Sequence, residues 1–244
     1  MQVLISLNEV IYILQIVLTS VLLLHVTYLD LKSREIDLKI WLFYSPLVLL
    51  FLFQYKNLNI FLYLYSAITV NVLLLVFYYI SLMGGADLFL SLILSLSNAS
   101  VRPLFFEKFS IIGLEPLTIL LYSSLLILLT SIGNLLRNYS YTKGYSMKLR
   151  LILALSGRRI KVKDFLNSRF LFPLTQIDES SRQITIRTAF LVEEDDAEWR
   201  KKFSDYVQKG LIKEEDYIWV TWGVPVIPFM TLGYFISLIS GLPL

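Results

Sequence analysis

Two aspartates stand out because each follows an apolar stretch in which charged residues are rare. Asp30 lies at the end of the first stretch, and Asp87 follows the third. A carboxylate within a membrane span costs about 2.5–3.5 kcal/mol, so such acids usually face a bundle interior and carry function. Two neighbouring carboxyls can share one proton, so that one acts as a base on water and the other as an acid. This pattern indicates hydrolysis without a metal or a covalent nucleophile.

The same acids have other interpretations. Asp30 and Asp37 can be interfacial acids paired with Lys32, Arg34 or Lys39, an arrangement common at helix ends. A channel or transporter can use two intramembrane acids to bind a cation or relay protons, although the chain lacks the inverted halves typical of many transporters. A non-catalytic membrane scaffold is a third interpretation.

The composition of the chain limits the kinds of catalytic chemistry that it can carry out. The chain has 244 residues, 56% hydrophobic and 17% charged, whereas an average soluble domain is about 25% charged. The absence of cysteine excludes disulfides, thiolate metal sites and a cysteine nucleophile. A single histidine, His25, argues against a multi-histidine metal site and a Ser-His-Asp triad. We therefore expect a membrane protein with no cofactor and no metal.

Six apolar runs approach the length that a bilayer requires. They are Val10–Leu29, Ile36–Phe53, Asn59–Met83, Asp87–Asn98, Ile111–Leu136 and Ile218–Leu242. The start of the chain lacks the basic region and the small-residue cleavage site of a secretory signal peptide. We interpret all six runs as spans, including the short fourth one.

Charge is concentrated between the fifth and sixth runs. Residues 137–217 hold 16 of the 22 Lys and Arg and 12 of the 19 Asp and Glu. The predicted fold is therefore an α-helical polytopic membrane protein with helices 1–5 in residues 1–136, a small α+β domain in 137–217 and helix 6 in 218–244. The formal net charge is +4 for this domain and −1 for the rest of the chain, which does not indicate nucleic-acid binding.

Basic residues also predict the orientation. Lys32 and Arg34 follow the first span and Arg137 follows the fifth, and basic loops favour the cytoplasmic side. We therefore expect an external N terminus and a cytoplasmic soluble domain. Spans one and three run in the same direction, so Asp30 and Asp87 should share a depth near the cytoplasmic face.

Short patterns predict the soluble domain. Residues 170–178 and 182–190 are predicted strands, and Asp195 or Asp196 is predicted to cap a helix that stops at Gly210. The densest basic run is Gly157–Lys163. It is either a contact for anionic lipid or an acidic partner, or simply a solvated edge facing the membrane.

Three segments of the chain resemble a known family. They are Tyr-x-Asp-x-Lys-x-Arg-x-Ile from Tyr28 to Ile36, Gly-Gly-Ala-Asp from Gly84 to Asp87, and Pro-Val-Ile-Pro-Phe from Pro225 to Phe229. Together they resemble archaeal preflagellin and type IV prepilin peptidases, which are GxGD-type intramembrane aspartyl proteases also called class III signal peptidases.

The resemblance implies residue roles. It makes Asp30 and Asp87 the catalytic pair, and Gly84, Gly85 and Ala86 the loop that presents Asp87. Ala86 stands where the strict pattern has its second glycine, and the archaeal branch tolerates this change. The cysteine motif of many bacterial relatives is absent, so their N-methyltransferase activity is not expected.

The resemblance also implies the substrate. The family removes a short basic leader from pilin-like, archaellin-like or related secreted precursors at the cytoplasmic face of the cell membrane. The expected partners are such precursors and membrane lipid. Glu35 and Asp37 are candidates for contacting the basic leader, and a solvated helix start with ion pairs is the other interpretation. The oligomeric state is not predicted.

Overall fold

The protein consists of two compact units. The structure is a computed structural model, which describes residues 7–80, 82–100, 103–105, 113–191 and 194–242. The helical unit comprises residues 1–127 and 225–244, and the mixed unit comprises residues 128–224.

Apolar helices form the helical unit. Their bounds are α1 (Leu7–Ser33), α2 (Leu38–Tyr44), α3 (Phe51–Gln54), α4 (Ile60–Tyr79), α5 (Gly85–Ser97), α6 (Glu115–Asn138) and α10 (Val226–Ser240), with α6 continuing into the mixed unit. Short 3-10 segments at Ser45–Leu50 and Tyr55–Asn57 connect α2, α3 and α4. Helices satisfy their own backbone hydrogen bonds, as any segment exposed to lipid must.

Three helices in the described residues are long and apolar enough to cross a membrane. They are Asn8–Ser33, Ile60–Tyr79 and Glu115–Thr142. The other apolar helical segments, Leu38–Gln54, Gly85–Ser97 and Val226–Ser240, are shorter than a typical span. Three of the six expected spans therefore meet the length criterion. The expected start of the fifth span, Ile111, lies outside the described residues.

The last helix begins later than the sequence pattern predicts. Tyr217–Trp222 form a strand, β5, and α10 starts at Val226 after Pro225. The expectation of a helix from Ile218 was wrong because a buried strand and the start of a span have the same hydropathy. Ile218 and Val220 are buried in the core of the mixed unit.

The mixed unit combines two small sheets with three short helices. Strands β1 (Gly157–Lys161), β2 (Leu171–Pro173) and β5 form an antiparallel sheet in the order β1-β5-β2, and β3 (Thr175–Ile177) pairs with β4 (Ile184–Ile186). The helices are α7 (Met147–Leu155), α8 (Val162–Leu166) and α9 (Asp196–Gln208). Aromatic side chains from α8 and α9, including Phe165 and Phe203, fill the core.

The predicted strands are shorter than expected. The first divides into β2 and β3 at Leu174, whose N–H donates to the Trp219 carbonyl while its own carbonyl accepts from Arg187. The second is reduced to β4. The predicted helix is confirmed, because the Asp195 side chain accepts the Ala197 N–H and caps α9.

A glycine allows α10 to approach α6 closely. A Cβ at Gly233 would lie 2.6 Å from the Ile119 carbonyl oxygen and within contact distance of Ser123 Oγ. Small residues at helix interfaces permit this backbone approach in membranes. On its other side α10 meets α1, where the hydroxyls of Thr27 and Thr231 lie 2.7 Å apart.

We expect Gly233→Ala to lower the free energy of unfolding by about 1–3 kcal/mol, because the new methyl group overpacks this contact. Gly133→Ala is the matched control, since nothing lies within 4 Å of a Cβ at that helical glycine. It should be neutral or gain about 0.5–1 kcal/mol from helix propensity. Denaturant unfolding in detergent measures both. Equal effects of the two variants would contradict the close approach.

Candidate active site

Asp30 lies in the last turn of α1. Its side chain is 13% exposed, and Oδ2 stands 3.8 Å from a guanidinium nitrogen of Arg34. Oδ2 is buried and makes no hydrogen bond to any described residue. The carboxylate therefore has a charged neighbour and one oxygen whose hydrogen-bonding capacity is not used within the described part of the chain.

The end of α1 explains the position of Arg34. Arg34 adopts a left-handed conformation, with φ of 60°, and its N–H donates to the Asp30 carbonyl at 3.0 Å. This is the αL motif that often ends helices, although glycine usually occupies the position. A side chain there costs roughly 1–2 kcal/mol. The strained turn places the guanidinium next to Asp30.

Asp87 lies in the first turn of α5. It is 8% exposed, and its Oδ2 accepts the Gly84 N–H at 3.2 Å. The carboxyl therefore satisfies one of the free N–H groups at the helix start, where the helix dipole also favours negative charge. Asp87 thus has a local structural role, and any test of its chemistry must preserve that hydrogen bond.

The structure brings Asp30, Asp87 and Arg34 close enough for direct electrostatic interaction. The charges of Asp30 and Arg34 both act on the Asp87 carboxyl, and both carboxylates act on Arg34. An acid pair beside one cation, at the ends of two helices, has the groups needed for general acid and general base chemistry. Among the described residues, no group of three or more His, Asp or Glu side chains is placed to hold a metal.

A buried polar cluster at the far end of α5 fixes its register against α1. Asn98, directly after α5, accepts a hydrogen bond from Gln15 at 3.1 Å and donates one to Thr19 at 3.2 Å. Eleven positions separate Thr19 from Asp30, and eleven separate Asp87 from Asn98. The two helices run in opposite directions with the same rise per residue. The Thr19–Asn98 bond therefore keeps Asp30 and Asp87 at the same height along the helix axes.

The glycines before Asp87 are not required by the backbone. Gly84 is the extended residue that precedes α5, with φ of −84°. A Cβ on Gly84 or Gly85 would meet only ordinary contacts, 3.9 Å from Asp87 Oδ2 and 3.7 Å from the Tyr78 ring respectively. The protein's own packing would therefore accept a Cβ at either glycine, and Ala86 is half-buried against the core of the helical unit.

The two acids proposed for leader contact lie on the surface. Glu35 and Asp37 are exposed, and Asp37 caps α2 by accepting the Lys39 N–H at 2.9 Å. Asp37 therefore contributes to the start of a helix, as one of the two interpretations expected. Of the basic residues expected to pair with Asp30, Arg34 makes the ion pair. Lys32 instead lies over the Tyr28 ring, 5.6 Å from its centroid.

Sequence reasoning missed the cluster around Asn98. Its signal was present, because Gln15, Thr19 and Asn98 are polar residues within or beside apolar runs. In an apolar bundle such side chains usually find each other. The same reasoning applies to Gln54, which donates to the Ser97 carbonyl at 2.8 Å.

Apolar helices long enough to cross a membrane, together with two neighbouring aspartates, define a membrane protein with a candidate carboxylate site. Two family models match the chain in order: "Type IV leader peptidase family" over residues 17–132, and "Archaeal Peptidase A24 C-terminus Type II" over residues 149–242. A comparison with curated proteins gives no match. Both Asp30 and Asp87 lie within the first matched segment.

The chain belongs to the type IV leader peptidase family, and its C-terminal match assigns it to the archaeal preflagellin and prepilin peptidases. It is therefore a peptidase and a membrane protein.

We expect Asn98→Leu to lower the free energy of unfolding by about 1–3 kcal/mol, because Gln15 and Thr19 lose a buried partner. The register should loosen as well. The chain has no native cysteine, so the register of α5 against α1 can be measured by disulfide trapping between Asp30→Cys and Asp87→Cys. The fraction of protein trapped as the disulfide should fall when Asn98→Leu is added.

A matched variant separates stability from register. Replacing all three polar residues, as Gln15→Leu, Thr19→Val and Asn98→Leu, should restore much of the stability because no polar group is left unpaired. Trapping should remain low. An unchanged trapped fraction in both backgrounds would show that the cluster does not set the register.

Proposed function

We propose that the protein is a membrane-embedded aspartyl endopeptidase that removes the basic leader from archaellin-like, pilin-like and related precursors. Asp30 and Asp87 activate the attacking water. The proposal is supported most directly by the electrostatic interaction of Asp30 and Arg34, at the end of α1, with Asp87, at the start of α5. Family membership supports leader cleavage as the reaction.

The chemistry follows from a shared proton. One carboxylate removes a proton from water as the water oxygen bonds to the scissile carbonyl carbon. The other carboxyl protonates the departing amine as the C–N bond breaks. Arg34 pairs with Asp30 and, in this proposal, holds that carboxylate in position while Asp87 is held by the Gly84 N–H.

The glycine loop is proposed to admit the substrate. Gly84 and Gly85 carry no Cβ, and a Cβ at either would meet only ordinary van der Waals contacts, so an extended precursor backbone is proposed to approach Asp87 along this loop. The exposed carboxylates of Glu35 and Asp37 are proposed to attract the basic leader.

The proposed topology has six spans, with the N terminus outside and the site facing the cytoplasm. The three shorter apolar segments are proposed to complete the bundle. The proposed cytoplasmic domain begins near residue 137, as the sequence predicts, and extends through β5 to Val224. We propose no N-methyltransferase activity, because the chain has no cysteine for the motif that accompanies that activity in bacterial relatives.

Asp30→Asn and Asp87→Asn should each reduce cleavage of a leader-bearing precursor to below about one-hundredth of wild type, since acid–base catalysis contributes about 10²–10⁴-fold. Asparagine keeps an oxygen that accepts the Gly84 N–H, so the start of α5 is preserved. Cleavage by purified protein in detergent is measured by the mobility shift of the precursor. Asp205→Asn, an exposed acid on α9, is the control.

Retention of cleavage by either asparagine variant would exclude the aspartate pair. Loss of cleavage together with loss of folded protein would instead indicate a structural role, which the unfolding transition distinguishes.

Glu35→Gln combined with Asp37→Asn should raise KM for a precursor with a basic leader, while kcat stays unchanged. Each exposed pair contributes at most about 1 kcal/mol, so the loss of both should raise KM by up to roughly 30-fold. Asparagine is a good N-cap, so α2 is retained. A precursor whose leader lysines are replaced by glutamine should show no change. An equal rise in KM for both precursors would contradict the leader contact.

A further inference from the structure

The mixed unit contains a cavity lined by arginines. Its volume is about 760 Å³, and Arg137, Arg158, Arg159 and Arg169 line it together with Tyr141 and Asn138. We refer to it as the arginine cavity. All these residues lie between 128 and 224, so the cavity belongs to one compact unit.

The charge of the arginine cavity is not neutralised by its own walls. Among the described residues no Asp or Glu lines it, and none of its four arginines forms an ion pair. A cavity with four cations and no carboxylate favours an anionic ligand.

Two acids of the mixed unit pair with other cations. Lys161 and Lys163 both bind Glu215, at 2.6 and 2.9 Å, and their hydrogen bonds lower the pKa of Glu215 to about 2. Arg187 pairs with Glu194 at 2.6 Å. The basic run Gly157–Lys163 thus divides into two lysines that share one carboxylate and two arginines that line the cavity.

The cavity walls are held in place by the fold. Asn138 Nδ2 donates to the Gly157 carbonyl at 2.5 Å, which ties the end of α6 to the start of β1. Gly157 has no room for a side chain, because a Cβ would meet the Leu153 carbonyl and the Trp219 ring. Arg159 stacks over the rings of Tyr141 and Tyr217, at 5.2 and 4.7 Å. The backbone of this wall and the side chain of Arg159 are therefore held in place before any ligand binds.

The position of the cavity along α6 suggests the source of the anion. Arg137 and Asn138 lie in the last turn of α6, and Tyr141 lies in the 3-10 segment that follows it, at the end of the candidate span Glu115–Thr142. The end of a membrane-spanning helix lies at the level of the lipid headgroups. Basic pockets at this level bind phosphate-bearing headgroups.

We propose that the arginine cavity binds a phosphate-ester anion, presented by the headgroup of an anionic membrane lipid. Guanidinium groups donate paired hydrogen bonds that match phosphate oxygens, and four arginines line this single cavity. This site is separate from the aspartate pair, and the proposal does not depend on the peptidase mechanism.

The test counts lipids bound to the full-length protein in neutral detergent by native mass spectrometry. Phosphatidylglycerol is titrated against wild type and against Arg158→Gln/Arg169→Gln, with phosphatidylcholine as the zwitterionic lipid. Each basic residue at an anionic surface contributes about fivefold, so the double variant should bind phosphatidylglycerol about 25-fold more weakly. Both arginines are exposed, so the fold should tolerate the change.

Lys143→Gln/Lys148→Gln is the matched control, since it removes the same charge from the same unit outside the cavity. Loss confined to the arginine variant supports the site. Competition by inorganic phosphate or glycerol phosphate would support the phosphate site but identify a soluble source. Wild-type affinity in the arginine variant, equal loss in the control, or equal binding of phosphatidylcholine would overturn the proposal.

Discussion

The helical unit depends on hydrogen bonds between polar side chains buried in an apolar bundle. Asn98 has no water to replace its partners, so it must meet Gln15 and Thr19. Apolar contacts between α1 and α5 would tolerate a shift along the helix axis, whereas these directional bonds permit one register. The position of Asp87 relative to Asp30 therefore follows from a contact about eleven residues away, which is roughly 16 Å of helix. The strained turn at Arg34 then adds a cation to the pair.

Much of this arrangement follows from the sequence. The apolar runs predict the helices, and the order of the spans predicts that Asp30 and Asp87 share a depth. The charge of Asp30 acts on the Asp87 carboxyl, and their shared depth in a membrane stays a prediction. Other features depend on tertiary contacts. The ion pair of Arg34 arises from a left-handed residue that is not glycine, and no spacing rule predicts it. The strand β5 was predicted as a helix because Ile218 and Val220 are equally apolar in either structure.

In the mixed unit, the sequence predicts where charged residues are dense but not which of them are paired. The density of basic residues in Gly157–Lys163 is visible in the sequence, but their partners are not. Glu215 lies more than fifty positions from Lys161 and Lys163 and pairs with both, while Arg158 and Arg159 line a cavity that no described acid lines. The formal net charge of the chain therefore does not show that positive charge is concentrated at one place. Its location follows from the pairing of β1 with β5 and from the adjoining loop.

In the proposed six-span topology, the shortness of α5 has a consequence for the surrounding bilayer. Its 13 residues extend roughly 20 Å along the axis, against a hydrocarbon core of about 30 Å. A segment of this length in lipid draws the leaflets together around it. In that topology, thinning would bring solvent towards Asp87 and reduce the cost of uncoiling a neighbouring helix, since fewer of its peptide groups would lie in hydrocarbon. The mismatch would thus favour both the entry of water and the unwinding of the proposed precursor.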